Sequence, residues 1–354
     1  MTRFIRNLAR KGRAHSTTAA ILTTVPDFGD NPGSLTMKCY LPNGLPRDAA
    51  LVVVLHGCIQ DADAYDAGSQ WSVLAARHGF ALLYQEQRRT NNPMNCFKWY
   101  EPAATARVGG ETASILAMVA HMLAAHGLDS SRVFVTGLSA GGAMAASLLA
   151  AAPDVFAAGA IIAGLPHGAA ASMPEALLVM RAPPALSAAE WGEKVRAAHP
   201  HDGPRPAVSL WHGSADTTVV PANAEASLAQ WTDVLDLDAA IFTTERFGPH
   251  ARRVWRDEHG AARVQLWHVE GMGHGTPVGP NVGTPAERLG QTGPYMLDAG
   301  LASTWHIARD WGLLEGAPAE VQAPAPIAPQ PMAPPAQSGI AGIINAALRK
   351  AGLM

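Results

Sequence analysis

The residues best suited to chemistry lie at positions 137–141, with the sequence GLSAG. A strand-like run precedes them and a helix-like run follows, which is the context that a G-x-S-x-G nucleophile elbow requires. Small residues beside Ser139 permit a sharp turn that exposes its Oγ, and the following helix directs free N–H groups at the same point. The pattern predicts that Ser139 is a nucleophile for acyl transfer. A chance match is the alternative, because this motif is common in chains rich in glycine and alanine.

A serine hydroxyl needs a base within hydrogen-bond reach, and that base needs an acceptor that fixes its tautomer. In elbow hydrolases the order along the chain is serine, acid, histidine. Asp216 follows a buried strand-like run, whereas Asp202 precedes that run and Asp233 lies in a helical pattern. His274 follows the last strand-like run and has a glycine on each side. We predict a triad of Ser139, His274 and Asp216, with a turn or cap role as the alternative for the aspartate.

Acyl transfer also requires two backbone N–H donors that stabilise the tetrahedral oxyanion. One is expected from Ala140, the residue after the nucleophile. The other is expected from the loop after an early strand, and Cys58 in the segment 56–58, HGC, is the predicted donor. His212 and the aromatic residues Trp99 and Tyr100 are predicted to contact the substrate, although a core role is the alternative for the two aromatic rings.

These side chains need elements that bring them together, and the hydrophobic pattern supplies them. Residues 51–55 form a continuous apolar run, typical of a strand buried on both faces of a parallel sheet. Further strand-like runs lie at 35–41, 80–85, 132–136, 157–163, 207–211 and, two or three of them, within 240–270. Helical patterns lie between them at 69–78, 111–126, 142–150, 188–198, 222–235 and 301–313. The alternation predicts an α/β fold: an open, mostly parallel sheet with helices on both faces and a site beyond the carboxyl ends of its strands.

Composition divides the chain into four predicted parts. Residues 1–30 form a basic tail, 31–315 the catalytic domain, 316–337 a Pro/Ala-rich linker and 338–354 a short amphipathic helix. Within the domain, the proline-rich segment 165–206 interrupts the alternation and is predicted to be an insertion lying over the strand ends as a lid. The terminal amphipathic segments suggest contact with a granule or membrane surface. The alternative is a disordered terminus for the basic tail and docking on the domain for the C-terminal helix.

Length and composition limit the function classes. The chain has 354 residues, of which 48% are hydrophobic and 16% charged, enough for one large α/β domain with appendages. Its net charge of −3 gives no case for a nucleic-acid partner. No apolar run approaches the ~20 residues of a membrane-spanning helix, and no secretory signal is recognised in this sequence. The proposed chemistry requires no metal and no cofactor.

Several segments resemble one known family, the polyhydroxybutyrate depolymerase family of esterases. They lie at 54–60, 65–69, 91–100, 135–142, 160–166, 211–216 and 271–275. The resemblance spans roughly residues 35–312 and implies an α/β-hydrolase fold with the triad Ser139, His274 and Asp216. It implies hydrolysis of short-chain polyhydroxyalkanoates or their oligomers. Feruloyl and acetyl esters of plant polysaccharide are the alternative substrates, and a granule- or membrane-associated protein with weak catalysis is the alternative function.

The three cysteines, Cys39, Cys58 and Cys96, leave at least one thiol free, and the residues alone do not select a pair. The resemblance implies a disulfide between Cys58 and Cys96. The chain departs from the family pattern at residues 169–171, where three alanines stand in the place of a further cysteine. A disulfide favours an extracellular setting, whereas the lack of a recognised signal favours the cytoplasm, at storage granules, and both are kept as hypotheses.

Overall fold

The structure is a computed structural model, and it describes residues 21–314. Most of the predicted basic tail lies outside the described residues, as do the linker 316–337 and the amphipathic helix 338–354. The granule or membrane contacts predicted for these terminal segments therefore also fall outside the described residues.

The strands of the described residues form a large central sheet and a small second one. In chain order they are β1 (Thr23–Val25), β2 (Thr36–Tyr40), β3 (Leu51–Leu55), β4 (Ala81–Glu86), β5 (Val133–Leu138), β6 (Ala158–Ile162), β7 (Ala207–Gly213), β8 (Thr243–Phe247), β9 (His250–Arg256), β10 (Ala262–Val269), β11 (Thr276–Val278) and β12 (Met296–Asp298). The central sheet has the order β1-β2-β4-β3-β5-β6-β7-β10-β9-β8. The stretch from β4 to β10 is parallel, and antiparallel strands extend it at both ends.

Helices cover both faces of this sheet. They are α1 (Ala62–Ser69), α2 (Trp71–His78), α3 (Pro102–Thr105), α4 (Gly110–His126), α5 (Ala140–Ala151), α6 (Met173–Arg181), α7 (Ala188–Ala198), α8 (Ala222–Val234) and α9 (Ser303–Asp310). Buried residues of α4, α5, α7 and α8 join one hydrophobic core, and those of α1, α2 and α9 join the other. The predicted α/β-hydrolase architecture is confirmed.

β3 shows why the sequence forms a sheet covered on both sides. Leu51, Val53 and Leu55 belong to one core, and Val52 and Val54 belong to the other. Every one of these side chains is fully buried. Side chains alternate between the two faces of a strand, so only a continuous apolar run satisfies both cores at once.

The stretch Pro102–His126 has the length and the apolar composition of a membrane-spanning helix, contrary to the expectation that no apolar run is long enough. Here it is not one continuous helix, because α3 ends at Thr105 and α4 begins at Gly110. The stripe Ile115, Met118 and Met122 of α4 packs into the core. We therefore assign α4 to the core of the domain.

Two predictions need correction, the start of the domain and the lid role of the segment 165–206. The domain starts before residue 31, because β1 (Thr23–Val25) pairs with β2 at one edge of the central sheet. The segment 165–206 is not one lid, because α7 (Ala188–Ala198) packs on α5 and α8 and buries Val195 in the core. α7 is thus the crossover helix between β6 and β7, and only the part around α6 lies beside the site described below.

Candidate active site

The turn at Ser139 joins β5 to α5 in a strained conformation. Ser139 has φ 57° and ψ −116°, a left-handed φ that non-glycine residues rarely adopt. A Cβ on Gly137 would lie 2.4 Å from the Gly141 oxygen, and one on Gly141 would lie 2.5 Å from the His56 oxygen. Both glycines are therefore required for the close approach of α5 to its own strand and to the loop after β3.

The structure brings the three predicted triad residues into one hydrogen-bonded line. His274 Nε2 lies 2.9 Å from Ser139 Oγ, and His274 Nδ1 lies 2.7 Å from Asp216 Oδ2. Because a carboxylate only accepts, Nδ1 carries the hydrogen, and Nε2 is left free to accept from the serine hydroxyl. The imidazole is thus held in the tautomer that a general base needs.

The Asp216 carboxylate is fully buried and surrounded by donors. Its Oδ1 accepts from the backbone N–H groups of Thr218 (2.8 Å) and Val219 (3.0 Å). Burial by itself raises the pKa of Asp216, but hydrogen bonds from His212 and His274 outweigh burial and hold that pKa well below its usual range. The side chain is therefore ionised whenever the protein is folded near neutral pH.

Backbone contacts tie the Asp216 loop to the His274 loop. Ser214 N donates to the Val269 oxygen and Ala215 N to the Met272 oxygen, each at 3.0 Å. A Cβ on Gly213 would lie 2.2 Å from the Met272 oxygen, so only glycine permits this approach. Since β7 and β10 are parallel neighbours, the loops at their carboxyl ends meet, which explains why acid and base come together.

An apolar cavity of about 270 Å³ opens beside Ser139. Trp99 and Tyr100, both predicted to contact the substrate, are part of its wall. Residues of α6 form another part of the wall, and no periodic pattern in this proline-rich segment identifies them individually from the sequence. The full lining is Cys58, Met94, Cys96, Trp99, Tyr100, Ser139, Ala140, Leu165, Met173, Ala176, Leu177, Met180 and Val219.

His212 does not line this cavity, contrary to its predicted contact with the substrate. Its side chain is buried, and its Nε2 donates to the Val219 oxygen at 2.8 Å. The same nitrogen lies 3.4 Å from Asp216 Oδ2. His212 therefore stabilises the Asp216 loop, because its Nε2–H lies between two acceptors of that loop, the Val219 carbonyl and the Asp216 carboxylate.

The predicted oxyanion donors lie on two elements that meet at the cavity. Ala140 is the first residue of α5, where backbone N–H groups have no acceptor within the helix. Cys58 follows β3, lines the cavity and forms a disulfide with Cys96. Cys39 is free and buried, and burial raises the pKa of its thiol.

Two buried polar residues near the cavity were missed, Gln87 and Glu111. Gln87 Nε2 donates to Glu111 Oε1 at 2.5 Å, and the Lys98 amide donates to Glu111 Oε2 at 2.9 Å. Burial nevertheless raises the pKa of Glu111 to about 7. No pattern of residue types marks this pair, because their burial depends on how the segment 91–100 folds over them.

The Glu111 carboxyl is expected to make stability depend on pH. Its pKa in the folded chain lies above the ordinary value of 4.5, so the folded state binds this proton more tightly than the unfolded state. The stabilisation is complete below about pH 4.5 and is lost as pH rises through about 7, by about 3 kcal/mol in all. Urea unfolding of the wild type and Glu111→Gln between pH 4.5 and 8 should show a flatter pH dependence in the variant.

The matched control is Glu258→Gln, because the Glu258 side chain is 86% exposed. This variant should retain the pH dependence of the wild type. Equal slopes for the wild type and Glu111→Gln would show that Glu111 does not bind its proton more tightly in the folded state.

One acidic cluster among the described residues has the geometry of a cation site. Ligand atoms of Asp61, Asp63 and Glu86 lie within 4.8 Å of one another. Lys38 Nζ lies 2.7 Å from Asp63 Oδ2 and 2.8 Å from Glu86 Oε2. The ammonium group neutralises these two carboxylates, so the cluster is explained as an ion-pair network.

The sheet order and the Ser139–His274–Asp216 geometry are those of a serine esterase of the α/β-hydrolase class. Residues 35–254 match the model of the family described as "Esterase PHB depolymerase", and the chain belongs to this family. It is 42% identical over 300 residues to poly(3-hydroxyalkanoate) depolymerase C of Paucimonas lemoignei, covering 84% of this chain and 72% of that protein.

Other relatives are named as feruloyl esterases and acetyl xylan esterases. Feruloyl esterase B of Talaromyces funiculosus is 32% identical over 273 residues, covering 75% of this chain and 76% of that protein. The solved acetyl xylan esterase from Aspergillus awamori superposes with a TM-score of 0.66 at 29% identity, covering 72% of this chain and 93% of that one. The chain is thus a carboxylic ester hydrolase, as predicted.

Proposed function

We propose that Ser139, His274 and Asp216 hydrolyse esters through an acyl-enzyme. Ser139 Oγ forms a bond to the ester carbonyl carbon while His274 Nε2 takes its proton. The tetrahedral intermediate breaks its bond to the alcohol oxygen, which receives that proton from His274. Water then attacks the acyl-serine, again with His274 as base, and releases the acid and free Ser139. The single observation that carries this proposal is the hydrogen-bonded line of the three side chains.

The oxyanion is held by the amides of Cys58 and Ala140. Two features support these donors: both residues line the cavity beside Ser139, and the Ala140 amide belongs to the free first turn of α5. Such donors stabilise the negative charge that develops on the carbonyl oxygen in the transition state.

The substrate we propose is a short-chain poly(3-hydroxyalkanoate) or its oligomers, with poly-3-hydroxybutyrate first. The cavity lining supports an aliphatic acyl or alcohol group, because none of the residues that line the cavity is an acid, a lysine, an arginine or a histidine. The 42% identity to a depolymerase supports the same substrate class. Feruloyl or acetyl esters are the second candidate, favoured by the aromatic walls Trp99 and Tyr100.

Parallel rate measurements decide between these substrates. We expect kcat/KM for 3-hydroxybutyrate oligomers to exceed that for methyl ferulate and for acetylated xylan by about 10-fold or more, the discrimination that an apolar pocket can supply. Product acids are quantified by chromatography, with Ser139→Ala as the inactive control. Faster hydrolysis of methyl ferulate or acetylated xylan would transfer the assignment to that ester.

The location we propose is extracellular, in contact with ester or polyester material. The Cys58–Cys96 disulfide supports it, because disulfides persist in oxidising compartments. A cytoplasmic enzyme at storage granules is the alternative.

A further inference from the structure

Tyr295 packs its aromatic ring edge-on against the imidazole of His274. The two ring centroids are 6.3 Å apart and the ring planes meet at 75°, the edge-to-face arrangement that aromatic pairs favour. The His274 side chain is only 5% exposed, whereas Tyr295 is partly exposed. Tyr295 therefore covers part of the imidazole and still reaches solvent beside it.

The backbone at Tyr295 adopts a conformation that favours glycine. Pro294 and Tyr295 are the central residues of a turn that is closed by reciprocal backbone hydrogen bonds of 3.0 Å between Gly293 and Met296. The φ of Tyr295 is 63°, a left-handed value that glycine or asparagine usually takes at such a turn position. Residues held in this region cost stability and are concentrated at functional sites. The turn alone would favour glycine, so the tyrosine is explained by what its ring contacts.

Two hydrogen bonds fix the position of this turn. Thr276 N donates to the Tyr295 oxygen at 2.8 Å, two residues after His274 in the chain. Gln60 Nε2, from the loop after β3, donates to the Pro294 oxygen at 3.4 Å. The turn is therefore held between the loop of His274 and the loop after β3, and the position of the ring beside the imidazole is fixed by both.

The apolar cavity and the Tyr295 ring belong to different parts of the site. Ser139 and Ala140 line the cavity, but neither His274 nor Tyr295 is among its lining residues. Ser139 Oγ also lies 2.9 Å from His274 Nε2, so the two parts of the site meet at this oxygen. An ester bound at Ser139 has an acyl half and an alcohol half, and each half needs a place.

Proton transfer determines which half of the ester passes Tyr295. In the proposed reaction His274 Nε2 gives its proton to the alcohol oxygen when the tetrahedral intermediate breaks. That oxygen must then lie within about 3 Å of Nε2, and the carbon chain attached to it continues beside the imidazole. The Tyr295 ring occupies a position beside that imidazole, whereas the cavity is left for the acyl half.

We propose that Tyr295 is a specificity-determining residue that binds the alcohol half of the ester, while the cavity beside Ser139 binds the acyl half. The inference rests on the proposed acyl-enzyme function and deepens it. An aromatic ring binds apolar groups through its face, so the alcohol group that Tyr295 selects is aliphatic or aromatic, as is the methyl-branched unit of a 3-hydroxybutyrate ester.

Two series of esters test this role, measured as kcat/KM, which reports the steps up to release of the alcohol. The first keeps butyrate as the acid and compares methyl with benzyl butyrate. The second keeps p-nitrophenol as the alcohol and varies the acid from acetate to hexanoate. Tyr295→Ala should lower kcat/KM about 10-fold for benzyl butyrate, chiefly through KM, and less than about 2-fold for methyl butyrate. The preference among acids should remain that of the wild type.

Leu177→Ala provides the opposite case, because Leu177 belongs to the cavity wall on α6. This variant should change the preference among acids and keep the wild-type ratio of benzyl to methyl butyrate. The matched control is Tyr40→Ala. Tyr40, like Tyr295, is a partly buried tyrosine packed against the same core, but it lies on β2. The control should keep both preferences.

Two further variants keep the test valid if Tyr295→Ala does not fold. Tyr295→Phe retains the ring and should keep the wild-type ratio of benzyl to methyl butyrate. Tyr295→Asn removes the ring but suits the left-handed turn, so it should show the same loss of alcohol selectivity as the alanine variant. Thermal unfolding of each variant separates a folding defect from a change in selectivity.

An equal loss of kcat/KM for both butyrates in Tyr295→Ala and Tyr295→Asn would overturn the proposal, because the ring would then only hold His274 in place. A changed preference among acids in these variants would also overturn it. Failure of the proposed function is a separate result. Activity retained by Ser139→Ala would remove the acyl-enzyme mechanism, whereas an inactive Ser139→Ala with unchanged alcohol selectivity in Tyr295→Ala would remove only the role of Tyr295.

Discussion

Replacement of Ser139 by alanine is expected to lower kcat for p-nitrophenyl butyrate by about 10⁵- to 10⁶-fold, the loss typical when a triad nucleophile is removed. The reason is geometric: Ser139 Oγ is the only atom of its side chain that reaches His274 Nε2, at 2.9 Å. His274→Ala should give a loss of similar size. The double variant should be little worse than either single one, because nucleophile and base act as one unit.

The matched control for this experiment is Ser147→Ala. Ser147 is a buried serine on the same helix, α5, where its Oγ contacts the ring of His167 at 3.1 Å instead of the triad. Its activity should remain close to that of the wild type. If Ser139→Ala retained activity within about 10-fold, or if the two single losses multiplied in the double variant, Ser139 and His274 would not be the proposed pair.

Asp216→Asn is expected to lower kcat/KM by about 10⁴-fold, the effect of leaving a triad histidine in the wrong tautomer. Every close partner of the carboxylate is a donor: the amides of Thr218 and Val219 and the rings of His274 and His212. An asparagine must place its own NH₂ group against one of these donors. If it faces His274, Nδ1 becomes an acceptor and Nε2 carries the hydrogen, so the ring can no longer take the serine proton.

Asp202→Asn provides the control, since Asp202 is an exposed aspartate that precedes β7 instead of following it. The control should keep the wild-type kcat/KM. Thermal unfolding of Asp216→Asn shows how much of any loss reflects the changed hydrogen bonds around a buried group. A folded Asp216→Asn protein with kcat/KM near that of the wild type would contradict the orienting role of this carboxylate.

The elements that position the triad were readable in the sequence because they are locally encoded. The apolar run at 51–55 can bury both faces of a strand. The glycines at 137 and 141 permit the tight turn at Ser139, because a side chain at either position would clash with neighbouring backbone. The residues after β5, β7 and β10 come together because parallel strands end at the same edge of the sheet. The helix 188–198 was recognised as well, with bounds that match α7.

Other features depend on contacts between distant segments, which local patterns do not record. His212 ends a strand beside Asp216, and only the folded structure shows that its Nε2 bonds the Val219 carbonyl and that His212 is not among the residues lining the cavity. Met173 and Met180 belong to a proline-flanked segment, and their place in the cavity wall depends on how α6 packs. The short strands β11 and β12 have three residues each and pair with each other across residues 279–295, so neither is long enough to show a recognisable pattern.

By itself the sequence determined the α/β fold and predicted the nucleophile, acid and base that the structure brings into one hydrogen-bonded line, because strand burial and tight turns are each fixed by residues close together. Only the tertiary structure decided the shape of the apolar cavity, the role of His212 and the buried contact between Gln87 and Glu111. The physical reason is that a buried polar group is defined by its partners, and these partners come from strands and loops that meet only when the sheet has formed.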